Sequence, residues 1–215
     1  MAHTARRIGI ALAATGTAAG VAVAGSPGAD AAPVIPINQT ASVSTFVAKP
    51  GKTVVFSGTQ TVKVDLGATT NNLTASLNLK PAQMKVDLPI IPGVFSIPGI
   101  ATATMQIEPL GDATGNLNFA DQSVTATQQF NVHITKLTPP IFSFINLVPS
   151  TTCKTSAPAT MKLSGKLTSL TDPLTLTSTY SIPSFTGCGL LTPLITQLTS
   201  GGGNTVKATF TPVAS

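Results

Sequence analysis

A chain of 215 residues with 9% charged side chains, no tryptophan and a formal net charge of +5 lacks what nucleic-acid recognition needs, clustered Arg/Lys interleaved with stacking aromatics. Both arginines and one acid precede residue 32, which leaves ten scattered lysines against six acids in the remainder. Low charge does not imply disorder here, because Val, Ile, Leu and Phe recur at regular spacing along one domain's length, enough to bury about 70% of the unfolded surface.

Residues 1–31 read as a secretory signal: Arg6-Arg7 form the basic start, Ile8 to Gly25 a weakly apolar Ala/Gly-rich run, and Ala29-Asp30-Ala31 the small-x-small pattern before cleavage at Ala32. Gly9, Gly16, Gly20 and Gly25 make that run too weakly apolar for a membrane anchor. The arginine pair also suits a twin-arginine signal, although Gly9 stands where a bulky apolar residue is wanted. The expectation is a secreted chain, extracellular or loosely wall-associated, with residues 32–39 as an extended lead-in and 40–215 as one domain.

Strand patterns then follow one another. Ala41, Val43, Thr45 and Val47 share a face, and Lys49-Pro50-Gly51-Lys52 turns the chain into a strand from Thr53 to Phe56 that Gly58 is expected to end. Val62, Val64 and Leu66 alternate with Thr61, Lys63 and Asp65; after a turn at 69–72, Leu73, Ala75, Leu77 and Leu79 do the same, as do Met84, Val86 and Leu88. Such alternation gives sheets with one dry and one wet face, mostly antiparallel. The Lys-Val-Asp-Leu repeat at 63–66 and 85–88 reads as solvated strand surface.

Pro89 to Ile100 breaks the alternation as an apolar, Pro-rich loop. Ala101, Ala103, Met105 and Ile107 resume it, then Leu117 and Phe119. Ser123 to Lys136 is the longest run and the expected central strand, with Val124, Ala126, Gln128, Phe130, Val132 and Ile134 inward and His133 outward. A second apolar connection spans Leu137 to Thr152, with room for a helical turn before Pro149.

Met161, Leu163 and Leu167 pair as a hairpin with Leu174, Leu176, Tyr180 and Ile182 across a turn at Asp172-Pro173. Cys153 and Cys188 flank that hairpin, and two cysteines in an exported chain favour a disulfide. Leu190, Leu191, Leu194, Ile195 and Leu198 recur at helical spacing, with Thr192-Pro193 as N-cap and first turn, Gly201–Gly203 as stop, and an apolar face that closes one end of the core. Val206, Ala208 and Phe210 make a last strand. The expected fold is all-β: an antiparallel β-sandwich of about nine or ten strands with one short C-terminal helix and one disulfide.

Cys153-Lys154-Thr155, Tyr180 to Phe185, Cys188-Gly189-Leu190-Leu191-Thr192-Pro193-Leu194 and Gly203-Asn204-Thr205 resemble uncharacterised secreted proteins of actinobacteria. The resemblance covers roughly residues 150 to 211. It implies export and a shared β fold, and carries no activity or catalytic residues.

Catalytic candidates are scarce. His133 is the one histidine after the signal and reads as solvated; no Gly-x-Ser-x-Gly elbow occurs; and the carboxylates Asp65, Asp87, Glu108, Asp112, Asp121 and Asp172 fall singly on strand surfaces or turns. Asn38-Gln-Thr40 and Asn72-Leu-Thr74 match the glycosylation sequon without further support. No catalytic residue, metal site or cofactor is expected. The reading is a non-catalytic binding or interaction module of the cell envelope, whose partner is a wall polymer, surface protein or lipid and not nucleic acid. The alternative is a carrier or sensor of a lipid-like ligand held by the two apolar segments, through Ile90, Ile91, Val94, Phe95 and Ile97 on one and Ile141, Phe142, Phe144 and Ile145 on the other. A secreted hydrolase ranks third.

Overall fold

The computed structural model describes residues 32–91, 95–139 and 144–213, the side chains of 88–91 and 95–100 excepted. Among these residues twelve strands follow in order: β1 Val34–Val47, β2 Lys52–Asp65, β3 Leu73–Leu79, β4 Ala82–Ile91, β5 Phe95–Pro109, β6 Ala113–Leu117, β7 Ser123–Thr138, β8 Lys154–Thr155, β9 Ala159–Lys166, β10 Leu174–Ile182, β11 Phe185–Thr186 and β12 Gly201–Pro212. A 3-10 turn, Gly189–Leu191, leads into the one α-helix among the described residues, α1 Thr192–Thr199. The fold is all-β with one short helix, and Cys153 and Cys188 are bonded.

Instead of the expected sandwich, eight strands close into a barrel. The circuit runs β1-β2-β3-β6-β7-β9-β10-β12 and back to β1, every pair antiparallel, closed by β7 against β9 and β12 against β1. Order around the barrel is order along the chain, as in an up-and-down barrel, with three excursions: the β4–β5 hairpin, β8, and the β11–α1 segment. Alternation decides which face of a strand is dry but is silent on whether the sheet curls shut.

Curling depends on places where neighbouring strands pass unusually close. A Cβ on Gly58 would lie 1.9 Å from the backbone oxygen of Asn78, and one on Gly115 1.9 Å from that of Thr125. Both glycines have inward parity, so the missing side chain lets β2 bend against β3 and β6 against β7. Gly58 therefore bends one continuous strand instead of ending it.

Three other expectations change. Backbone pairing continues through most of 89–100 as the β4–β5 hairpin, with register shifts at Val86/Leu88 and Pro89/Ile91 next to and at a proline that has no N–H to give. β6 stops at Leu117, leaving Phe119 58% exposed. Thr192 lies inside α1, where its Oγ1 accepts from Cys188 N and donates to Gly189 O. Pro36 also falls within β1, in the stretch before Gln39 where β12 does not yet pair, so its missing N–H is tolerated.

β7 is central, as its length predicts. Ser123 to Phe130 runs between β6 and β9 in the barrel; from Phe130 onward the strand runs between β5 and β8 in a second sheet. The apolar face of that sheet, with Met84, Met105 and Ile134, lies under Leu194, Ile195 and Leu198 of α1 around a gap of about 240 Å³. The helix thus packs over the β4–β5–β7 face beside the β1–β2 turn, where Lys49 Nζ donates to Gln197 O. Asn204, 1% exposed, locks the nearby chain crossings: its Oδ1 accepts from Ala48 N, and its Nδ2 donates to Tyr180 O and Gly201 O.

Candidate functional site: a cavity inside the barrel

The inward residues of the eight strands enclose a cavity of about 100 Å³. Its floor is aromatic. Phe56 and Phe130 are 1% exposed, Tyr180 meets Phe130 edge-on with ring centroids 5.8 Å apart, and the Tyr180 hydroxyl shares a 2.6 Å hydrogen bond with Thr45 Oγ1. The walls are aliphatic, with Val62, Ala75, Leu163, Leu176 and Ala208 among them. At the other end the lining reaches Leu170 and Asp172, which are exposed and mark the mouth.

Burial pushes the Tyr180 phenol up from its ordinary value near 10, against the smaller opposing effect of the Thr45 hydrogen bond. A raised phenol pKa makes the folded state hold its proton after the unfolded chain has lost it. Stability is therefore unaffected below about pH 10 and falls as pH climbs toward the folded pKa. Because Tyr180 is the only tyrosine, ultraviolet phenolate absorbance reads it directly. Native protein is expected to ionise at higher pH than protein in denaturant, and coincident titrations would contradict a buried floor.

Three amides interrupt the apolar lining. Gln39 and Gln60 sit directly opposite each other on β1 and β2, and Gln128 projects inward from β7. Gln128 Nε2 donates to the carbonyls of Gly111 at 3.2 Å and Gln129 at 2.7 Å. The Oε1 atoms of Gln39 and Gln128 are buried and accept no hydrogen bond from the protein.

The mouth lies where β1, β3, β7 and β10 start and β2, β6, β9 and β12 end. Each of these chain passages brings an exposed apolar side chain: Ile35, Leu66, Phe119, Leu170 and Val213 are 42–58% exposed. Two of the mouth loops are joined by Leu167 N donating to Gln122 O, and Asp121 braces one of them by accepting from Ser123 N, which holds its carboxyl below the ordinary value. Outward strand positions carry Thr, Ser and Lys, for example Thr40 and Ser42 on β1 and Thr205 and Lys207 on β12. That is the reverse of a lipid-facing barrel wall. No described helix is long and apolar enough to cross a membrane.

Of the sequence-predicted contact residues, those whose side chains are described do not line the cavity. Ile90 and Ile91 lie in β4 and Phe95 and Ile97 in β5, with side chains outside the description; Val94, Ile141 and Phe142 are outside the described residues altogether. Phe144 is 81% and Ile145 40% exposed on the connection after β7, beyond the barrel end opposite the mouth. The register Thr102↔Thr138 pairs the end of β7 with β5 just after the first apolar segment. Neither Phe144 nor Ile145 lines the cavity.

His133 is a correction: it is 8% exposed, not solvated. Outward parity on a central strand places it between Gln106 and Lys154, and Glu108 Oε1 closes on its Nδ1 at 3.0 Å. Its Nε2 is buried without a hydrogen bond. Neither His133 nor Glu108 lines the cavity. Asp87 sits 3.6 Å from Lys52, and among the described residues no three His, Cys, Asp or Glu converge as a metal site. The Asn72 sequon is closed, because the side chain is buried and bonded both ways to the Leu117 backbone.

Sequence parity had already turned Gln128 inward. Gln39 was hidden in the presumed lead-in, and the rim residues sit in connections with no periodic signal. The geometry defines a class: an eight-stranded up-and-down barrel, wet outside and apolar inside, with a small interior cavity open at one end. No protein-family model, curated protein or solved structure matches this chain.

Proposed function

We propose that this chain is an exported, non-catalytic binding protein that holds one small apolar molecule inside its barrel. The observation that carries this reading is the cavity of about 100 Å³, aromatic at its floor, aliphatic along its walls and rimmed by exposed apolar side chains at its mouth. Barrels of eight strands either fill their interior with side chains or keep room for one small ligand. A dry cavity of about 150 Å³ takes up benzene, so this smaller one suits a short aliphatic segment or a single ring seated partly in its open mouth. The Arg6-Arg7 start, the small-x-small site before Ala32 and the Cys153–Cys188 bond support export.

Saturation-transfer NMR with toluene tests the reading. Binding is expected in the wild type and is expected to be lost in Ala126→Leu and Ala208→Val, which fill the cavity from two different strands, with circular dichroism verifying the fold. Absence of saturation transfer to toluene in the folded wild type would sink it.

A further inference from the structure

We infer that the barrel selects ligands headed by a hydrogen-bond donor, a small phenol or alcohol, over hydrocarbons and over carboxylates. The inference rests on the binding function proposed above and adds the chemistry of recognition. Gln39 and Gln128 are 7% and 5% exposed and line the same cavity. Their strands, β1 and β7, lie opposite one another, with three strands between them either way round the barrel. In Gln128 the partners fix which end of the amide is free: Gly111 O and Gln129 O are acceptors, so they take the Nε2 hydrogens and leave Oε1 without a donor. Gln39 Oε1 is likewise buried and accepts no hydrogen bond from the protein, though no bond from its own Nε2 fixes it.

A buried acceptor without a donor is costly in an otherwise apolar lining. Two of them define what a ligand gains by bringing O–H or N–H groups. A carboxylate ionised at neutral pH only accepts, so it leaves both oxygens unsatisfied. No Lys, Arg or His is among the residues lining the cavity, and the one charged residue there, Asp172 at the mouth, repels an anion. A plain hydrocarbon fits the walls but leaves both amide oxygens as they are.

Titration of the full mature chain with phenol, toluene and benzoate, followed by NMR shifts, separates the outcomes when repeated in Gln39→Met and Gln128→Met, which keep side-chain length and remove the acceptor. Phenol has one O–H to give, so its affinity is expected to fall on the order of ten-fold in at least one of the two variants while toluene affinity holds or rises in both. If Gln128→Met loses its fold along with its two Nε2 hydrogen bonds, the wild type decides, with phenol expected to bind more tightly than toluene. Equal losses for phenol and toluene, no loss for phenol, or benzoate binding more tightly than phenol would overturn donor selection and leave the binding cavity standing. Failure of all three ligands to bind the wild type would overturn the binding function itself.

Discussion

Gly115→Val is expected to destabilise the protein by at least about 3 kcal/mol, because the new side chain meets backbone and not a side chain that can swing away. The Cβ would sit 1.9 Å from Thr125 O and 2.8 Å from Ala126 Cα, on a five-residue strand held between β3 and β7. For a domain of this size that corresponds to a melting temperature lower by roughly 6–12 °C or more. Gly58→Val is expected to behave alike, since its Cβ would lie 1.9 Å from Asn78 O on the other side of β3. Thr114→Val, one residue away on the exposed face of β6, supplies the control and is expected to stay within about 0.5 kcal/mol. Thermal and denaturant melts of the three variants decide the matter. A Gly115→Val protein as stable as Thr114→Val would show that the barrel does not need the close crossing.

The second large effect belongs to the disulfide. Cys153 and Cys188 are both fully buried and 35 residues apart, and the bond ties the β8–β11 ladder and the start of α1 to β7, where Ile134 N donates to Cys153 O. Removing the cross-link by a Cys153→Ala/Cys188→Ala double change is expected to cost about 4 kcal/mol, chiefly by freeing the unfolded chain, out of a total of about 5–15 kcal/mol. The loss should also be local. β11 has two residues and α1 eight, and their ties include Phe185 N to Thr196 Oγ1 and Ser200 Oγ to Pro183 O. Hydrogen exchange in the double variant is therefore expected to lose protection first over residues 185–200, with the barrel strands β1 and β2 following only at global unfolding. Uniform loss across both regions would mean that the bond stabilises the chain as a whole and does not anchor this segment. An unchanged denaturation midpoint would remove its structural role.

Strand faces were legible because the side-chain period is local. Ala41, Val43, Thr45 and Val47 share the inner face as read, as do Leu73 to Leu79, the β9–β10 hairpin and Val206 to Phe210. The pairing of the cysteines followed from there being only two, and the helix from spacing. Alternation failed where prolines made a strand look like a loop, as in Pro89–Ile100, and where a long strand has neighbours on both sides, as at His133: parity gives the direction of a side chain but not what stands beside it.

What the sequence determined by itself, then, is an all-β chain with one helix, one disulfide and a known dry face on nearly every strand, since each of these depends on residues a few positions apart. Only the tertiary structure decided that β7 meets β9 while β12 meets β1, so that the dry faces enclose a cavity instead of pressing two sheets together. The same closure gathered Ile35, Leu66, Phe119, Leu170 and Val213 at one rim and set Gln39 across from Gln128. Those placements come from contacts between distant parts of the chain, and they depend on how far the sheet bends where Gly58 and Gly115 let two backbones approach.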